Sequence, residues 1–105
     1  MIQAEIITHH GKYRLFKCRG HADYAEAGHD IVCAAVSMLT FNTANALTEL
    51  TDSKVKVAAG SELTIEFLEA PDEGGQLLME TMMMGLQDVQ KQYGKRFLQL
   101  KFEEV

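Results

Sequence analysis

The chain has 105 residues, 47% of them hydrophobic and 24% charged, with a formal net charge of −5 and two cysteines. That length fits one domain, residues 1–105, around one core, and the acidic balance argues against direct nucleic-acid binding, which depends on basic surface. The start, Met1-Ile2-Gln3-Ala4-Glu5, has no basic region ahead of an apolar run, and the longest nearly apolar stretch, Ile31 to Leu39, is too short to span a bilayer. A cytoplasmic protein without membrane contact is expected, and in that reducing compartment Cys18 and Cys33 are expected to be free thiols.

Met1 to Thr8 alternates loosely, Ile2 and Ile6 against Gln3 and Glu5, and Tyr13 to Arg19 sets Leu15 between Arg14 and Lys17. These segments read as two strands joined by a hairpin turn at His9-His10-Gly11-Lys12, with Gly11 taking positive φ. Gly20 to Asp30 breaks all periodicity and ends on a helix-capping aspartate. The run from Ile31 to about Leu50 has neither Gly nor Pro and predicts a helix of about five turns. Its first half is apolar nearly all round, which predicts burial on more than one side, centrally or in an oligomer interface. Lys54 to Ala59 and Glu62 to Glu69 alternate around Gly60-Ser61 as a second hairpin. Pro71 to Gly75 reads as a linker. Leu78, Met82, Leu86, Val89 and Tyr93 then mark an amphipathic helix closed by Gly94, and Phe97 to Phe102 a last strand. The order strand-strand-helix-strand-strand-helix-strand predicts an α+β fold, a mostly antiparallel sheet with two helices packed on one face.

Cys33 falls in the first turn of the helix capped by Asp30, where free backbone N–H groups and the positive end of the dipole favour an anion. A thiolate is the nucleophile of cysteine-based acyl transfer, so a thiol value below the ordinary one of about 8.5 is expected there, with the same N–H groups able to receive an oxyanion. The second requirement is an imidazole. His21 lies at a strand end with eleven residues between it and Cys33, enough chain to fold back. Ser37, four residues after Cys33, shares its helix face. Against this stands the ordinary role of a cysteine in an Ala/Val-rich helix, that of a small core residue. His29 is a rival base, His9 and His10 belong to a turn, Cys18 reads as structural, and Met79, Met82, Met83 and Met84 as core or interface filler. A zinc site from Cys18-x2-His21 and His29-x3-Cys33 is the competing constellation, but its seven-residue central gap is shorter than finger-type sites use.

Gly20-His21-Ala22, five further residues, and Gly28-His29-Asp30-Ile31-Val32-Cys33-Ala34-Ala35-Val36-Ser37 together resemble the signature of the ribosomal-processing cysteine protease (Prp) family over eighteen contiguous positions. The resemblance implies a homodimeric cytoplasmic endopeptidase, working without cofactor or metal, that removes a short N-terminal extension from a ribosomal protein of the bacterial large subunit. It implies His21 and Cys33 as the catalytic dyad, with Asp30 and Ser37 as supporting residues. Gly20 and Gly28 suit loop hinges, and a loop with Tyr24 as its one large anchor is expected to order over the site with substrate. An acidic enzyme also suits a basic ribosomal substrate. The alternative is a non-catalytic ribosome-assembly binding module of the same fold.

Overall fold

The computed structural model describes residues 1–26 and 28–105. Its elements are β1 (Ile2–His9), β2 (Lys12–Gly20), α1 (Ile31–Leu50), β3 (Val55–Ala58), β4 (Glu62–Phe67), α2 (Glu73–Tyr93) and β5 (Leu98–Glu104), in the order read from the sequence. The five strands form one sheet ordered β3-β4-β2-β1-β5, antiparallel throughout except that β5 runs parallel to β1. The first hairpin turns tightly at His10 and Gly11, both with positive φ, the arrangement whose twist matches that of paired strands.

One sheet face is covered. Ile2, Ala4 and Ile6 of β1, Phe16 of β2 and Ile65 and Phe67 of β4 are buried in a single cluster with Val32, Val36, Ala44 and Leu47 of α1 and Met79, Met82, Met83 and Leu86 of α2. Alternation puts Gln3, Glu5 and Lys17 on the opposite, uncovered face. The helices therefore lie side by side on one face, and Gly85 of α2 sits against Leu39 of α1, where a Cβ would come within 2.8 Å of a Leu39 methyl.

One expectation needs correction. The segment read as a linker, Pro71 to Gly75, already contains the cap and first turn of α2. Asp72 accepts from Gly75 N at 2.8 Å and from the Ser53 hydroxyl at 2.6 Å, and Gly75 is required because a Cβ there would strike Ser53 Oγ. Glycines that read as breakers serve here to let a capping network close over a helix start. Of the two alternatives read for α1, central burial is not what the single chain has: here the helix is buried on one side. Val32, Val36, Thr40, Thr43, Ala44 and Leu47 face inward, while Met38 is 71% exposed and Ile31 and Phe41 about half. Taken whole, rather than only to Leu39, this helix is long and apolar enough to cross a membrane by length and composition alone, and a third of that stretch is buried against the rest of the chain.

Candidate active site

β2 ends at Gly20, whose φ of +94° turns the chain off the sheet and whose missing Cβ makes room for the Met1 carbonyl. His21 follows, exposed, and Ala22, 2% exposed, dips back into the core. The chain returns through Gly28, φ +87°, to Asp30, which caps α1. One Asp30 oxygen accepts from Cys33 N at 3.0 Å and the other from Tyr24 N at 3.0 Å, so one carboxylate ties the loop to the helix start. The Ala22 N–H in turn donates to Cys33 Sγ at 3.1 Å.

Two cavities open beside this sulfur. One of about 260 Å³ runs from the end of β2 along Cys33, Val36, Ser37, Thr40 and Phe41 of α1 to the Gly60-Ser61 turn. The other, about 550 Å³, lies under the loop against Asp23, Ala25, Gly28, Asp30 and Ala34. Among the described residues, His21 and Cys33 are the two that line both. Ser37 and Gly20 line the first cavity, Asp30 and Gly28 the second. His29, the rival base, lines neither, and its backbone N–H donates to Glu26 O. Cys18 borders the first cavity, and burial, with Cys33 and Glu62 nearby, pushes its thiol up to about 11. Among the described residues no group of three or more His, Cys, Asp or Glu side chains is arranged to hold a metal ion.

The electrostatics depart from expectation. The Cys33 thiol is pushed above its ordinary value, first by partial burial and then by the Asp30 and Asp23 carboxylates, with the Ala22 N–H as the opposing influence. Asp30 itself is held below the usual carboxylate range, chiefly by the Cys33 N–H. The helix-start argument neglected that the capping carboxylate faces the sulfur as well as the backbone: it favours the neutral thiol and occupies the N–H groups. Cys33 N bonds the Asp30 side chain and Ala34 N the Asp30 carbonyl, leaving the Ile31 and Val32 N–H groups as first-turn donors not bonded to Asp30. Among the described residues His21 makes no hydrogen bond to Cys33, whose sulfur accepts from the Ala22 N–H. Sequence reading also missed Thr40, Phe41 and the Gly60-Ser61 turn. Phe41 was within reach of it, because Cys33, Ser37 and Phe41 are spaced by four along one helix face.

Residues 1–97 match the family model described as cysteine protease Prp. The chain belongs to the Prp family. It is thus a cysteine protease, and its fold is the family's. The ribosomal processing cysteine protease Prp of Staphylococcus aureus (strain Mu50) is 32% identical over 99 residues, 90% of this chain and 93% of that protein. Its namesake in Bacillus subtilis (strain 168) is 34% identical over 101 residues, 89% of this chain and 90% of that one. The crystal structure of the S. aureus Prp with a covalently linked product peptide superposes with a TM-score of 0.91 at 31% identity, covering 97% of this chain and 99% of that one. The same protease with a substrate peptide gives 0.84 at 29%, over the same shares.

Proposed function

We propose that residues 1–105 form one cysteine endopeptidase domain that removes the N-terminal extension of a bacterial large-subunit ribosomal protein, with Cys33 as nucleophile and His21 as general base. The observation that carries this reading is that His21 and Cys33 are the residues shared by both cavities, so a peptide lying through the two has its scissile bond at the sulfur. The names of the Staphylococcus and Bacillus relatives support ribosomal processing.

On this reading the thiol is activated when substrate is bound. His21 takes the Sγ proton, and the sulfur attacks the scissile carbonyl carbon. The tetrahedral oxyanion is received by N–H groups around the helix start, and the imidazolium returns its proton to the departing amine. The resulting thioester is hydrolysed by water, which His21 deprotonates. Each half-reaction consumes and regenerates the same His21 base, so no cofactor is needed. Asp30 fixes the loop and Ser37 supports the cavity wall one turn beyond the sulfur. Gly20 and Gly28 act as the hinges on which the loop brings His21 to the thiol. Ribosomal proteins are basic, and a chain of net charge −5 favours encounter with them. Processing of a ribosomal protein puts the enzyme in the cytoplasm.

We also propose a homodimer formed through the helices. Met38, Leu77 and Met84 are each about two-thirds exposed or more on the outer side of α1 and α2, around a groove lined by Leu39, Ala46, Leu78 and Met82. Exposed apolar side chains grouped around a groove are the kind of surface that a partner covers. The processing reading is tested by mass spectrometry of the large-subunit ribosomal proteins incubated with and without the purified enzyme. One protein losing a short N-terminal segment is the expected result, and an unaltered set of masses would refute it.

A further inference from the structure

We infer that Tyr24 is a positioning residue for the catalytic thiol: an aromatic clasp of Tyr24 on Tyr93 and Phe97 holds the loop so that the Ala22 N–H stays on Cys33 Sγ. The inference rests on the reading of Cys33 as nucleophile but is read out independently of proteolysis.

The Tyr24 ring meets two partners edge-on, Tyr93 at 5.5 Å and 79° and Phe97 at 5.1 Å and 73° between ring centroids. Both geometries are those in which the positive edge of one ring meets the negative face of another. The partners come from distant parts of the chain, the last turn of α2 and the residue ahead of β5, and the Arg96 guanidinium carbon lies 4.8 Å over the far ring, Phe97. Phe97 is itself fixed, because its carbonyl accepts from Ile2 N at 2.9 Å and its N–H donates to Gly94 O. The loop is thus docked onto rigid structure that takes no part in the first turn of α1.

From Tyr24 two short routes lead to the sulfur. Its N–H is held by the Asp30 carboxylate that also holds Cys33 N. Two residues back, the Ala22 N–H points at Sγ, with His21 next in line. That N–H favours a thiolate. Between Gly20 and Gly28, both with positive φ, Tyr24 is the largest side chain, so its docking and the burial of Ala22 together set where the Ala22 peptide lies. The ring edges make the contact, and no hydrogen bond of the Tyr24 hydroxyl is needed for it.

Tyr24 is 42% exposed, so its variants should fold, whereas Phe97 is partly buried against the core, so Phe97→Ala is compared only once thermal melting shows it folded. The test measures the rate of Cys33 alkylation by iodoacetamide as a function of pH, followed on the Cys33 peptide by mass spectrometry so that Cys18 does not interfere. Alongside it runs kcat/KM on a processing-site peptide. Tyr24→Ala should move the alkylation midpoint upward and lower kcat/KM by about tenfold or more, the scale of loss expected from a misplaced catalytic loop. Tyr24→Phe should keep both wild-type values, and Phe97→Ala on top of Tyr24→Ala should add little. An unmoved midpoint in Tyr24→Ala, or losses from Tyr24→Ala and Phe97→Ala that simply multiply, would overturn the clasp. Failure of the peptidase reading would leave the alkylation profiles interpretable, since they report on the thiol alone.

Discussion

At Cys33 burial and three neighbours, Ala22, Asp30 and Asp23, act on one sulfur. The Ala22 N–H favours its ionised form, while burial and the Asp30 carboxylate favour the neutral one and prevail. Helix position alone pointed the other way, because the dipole is worth only about 0.3 to 1 kcal/mol at exposed sites and a full negative charge at the same helix start outweighs it. Asp30→Asn separates the two roles of this residue. Asparagine caps a helix about as well as aspartate but carries no charge. Alkylation of Cys33 in the free enzyme should therefore titrate above the ordinary thiol range in the wild type and lower in Asp30→Asn, with the melting temperature little changed. A wild-type thiol that titrates below the ordinary value would contradict this arrangement of charges. Because the Asp30 carboxyl is held low, its contribution to the cap is present above the ordinary carboxylate range and is lost as pH falls through the depressed value. Asp72, held low first by the Ser53 hydroxyl and then by Gly75 N, behaves alike at the other helix.

Among the elements, the strands and hairpins were legible because period-two alternation and turn residues are local signals, and β1, β2 and β4 lie within two residues of where they were read. The start of α2 was not, because Gly74 and Gly75 look like a linker until Ser53, some twenty residues earlier, is brought beside Asp72. In the site, the placing of His21 at a strand end and of Cys33 at a helix start followed from Gly20 and Asp30. The docking of Tyr24 on Tyr93 and Phe97 is a tertiary event that no local pattern encodes. The two loop glycines differ in a testable way. Gly28 needs only a positive φ, and a Cβ there meets nothing within 4 Å, so Gly28→Ala should cost about 1 kcal/mol. Gly20 has the same conformational demand and a backbone carbonyl, that of Met1, where the Cβ would go. Gly20→Ala should cost at least about 2 kcal/mol and lower activity as well, since it displaces His21 and the N-terminal strand together. Equal melting temperatures for the two variants in denaturation experiments would show that the close approach at Gly20 carries no weight.

On the scale of the whole molecule, one sheet face is covered by two helices that leave several large apolar side chains exposed, Met38 and Phe41 on α1 and Leu77 and Met84 on α2 among them. The Ile31 to Leu50 helix is the extreme case, apolar enough by composition for a bilayer yet only a third buried in its own chain. The proposed dimer would cover that surface, in line with the sequence expectation of a helix buried centrally or in an oligomer interface. Sedimentation should report a dimer at micromolar concentration for the wild type and a monomer for Met38→Asp combined with Met84→Asp, both positions being well exposed in the single chain. A wild type that stays monomeric and fully active would refute the dimer. The proposed chemistry, by contrast, makes His21 and Cys33 act as a unit, so on that reading their losses should not add. The most direct measurement is cleavage of the N-terminal ribosomal peptide by purified, folded Cys33→Ala, His21→Ala and the double variant, compared with the wild type. Cys33→Ala should abolish turnover while still binding the peptide, His21→Ala should be nearly as severe, and the double variant scarcely worse. Turnover by Cys33→Ala at the wild-type rate would mean that the nucleophile lies elsewhere and that the site built around this sulfur is wrong.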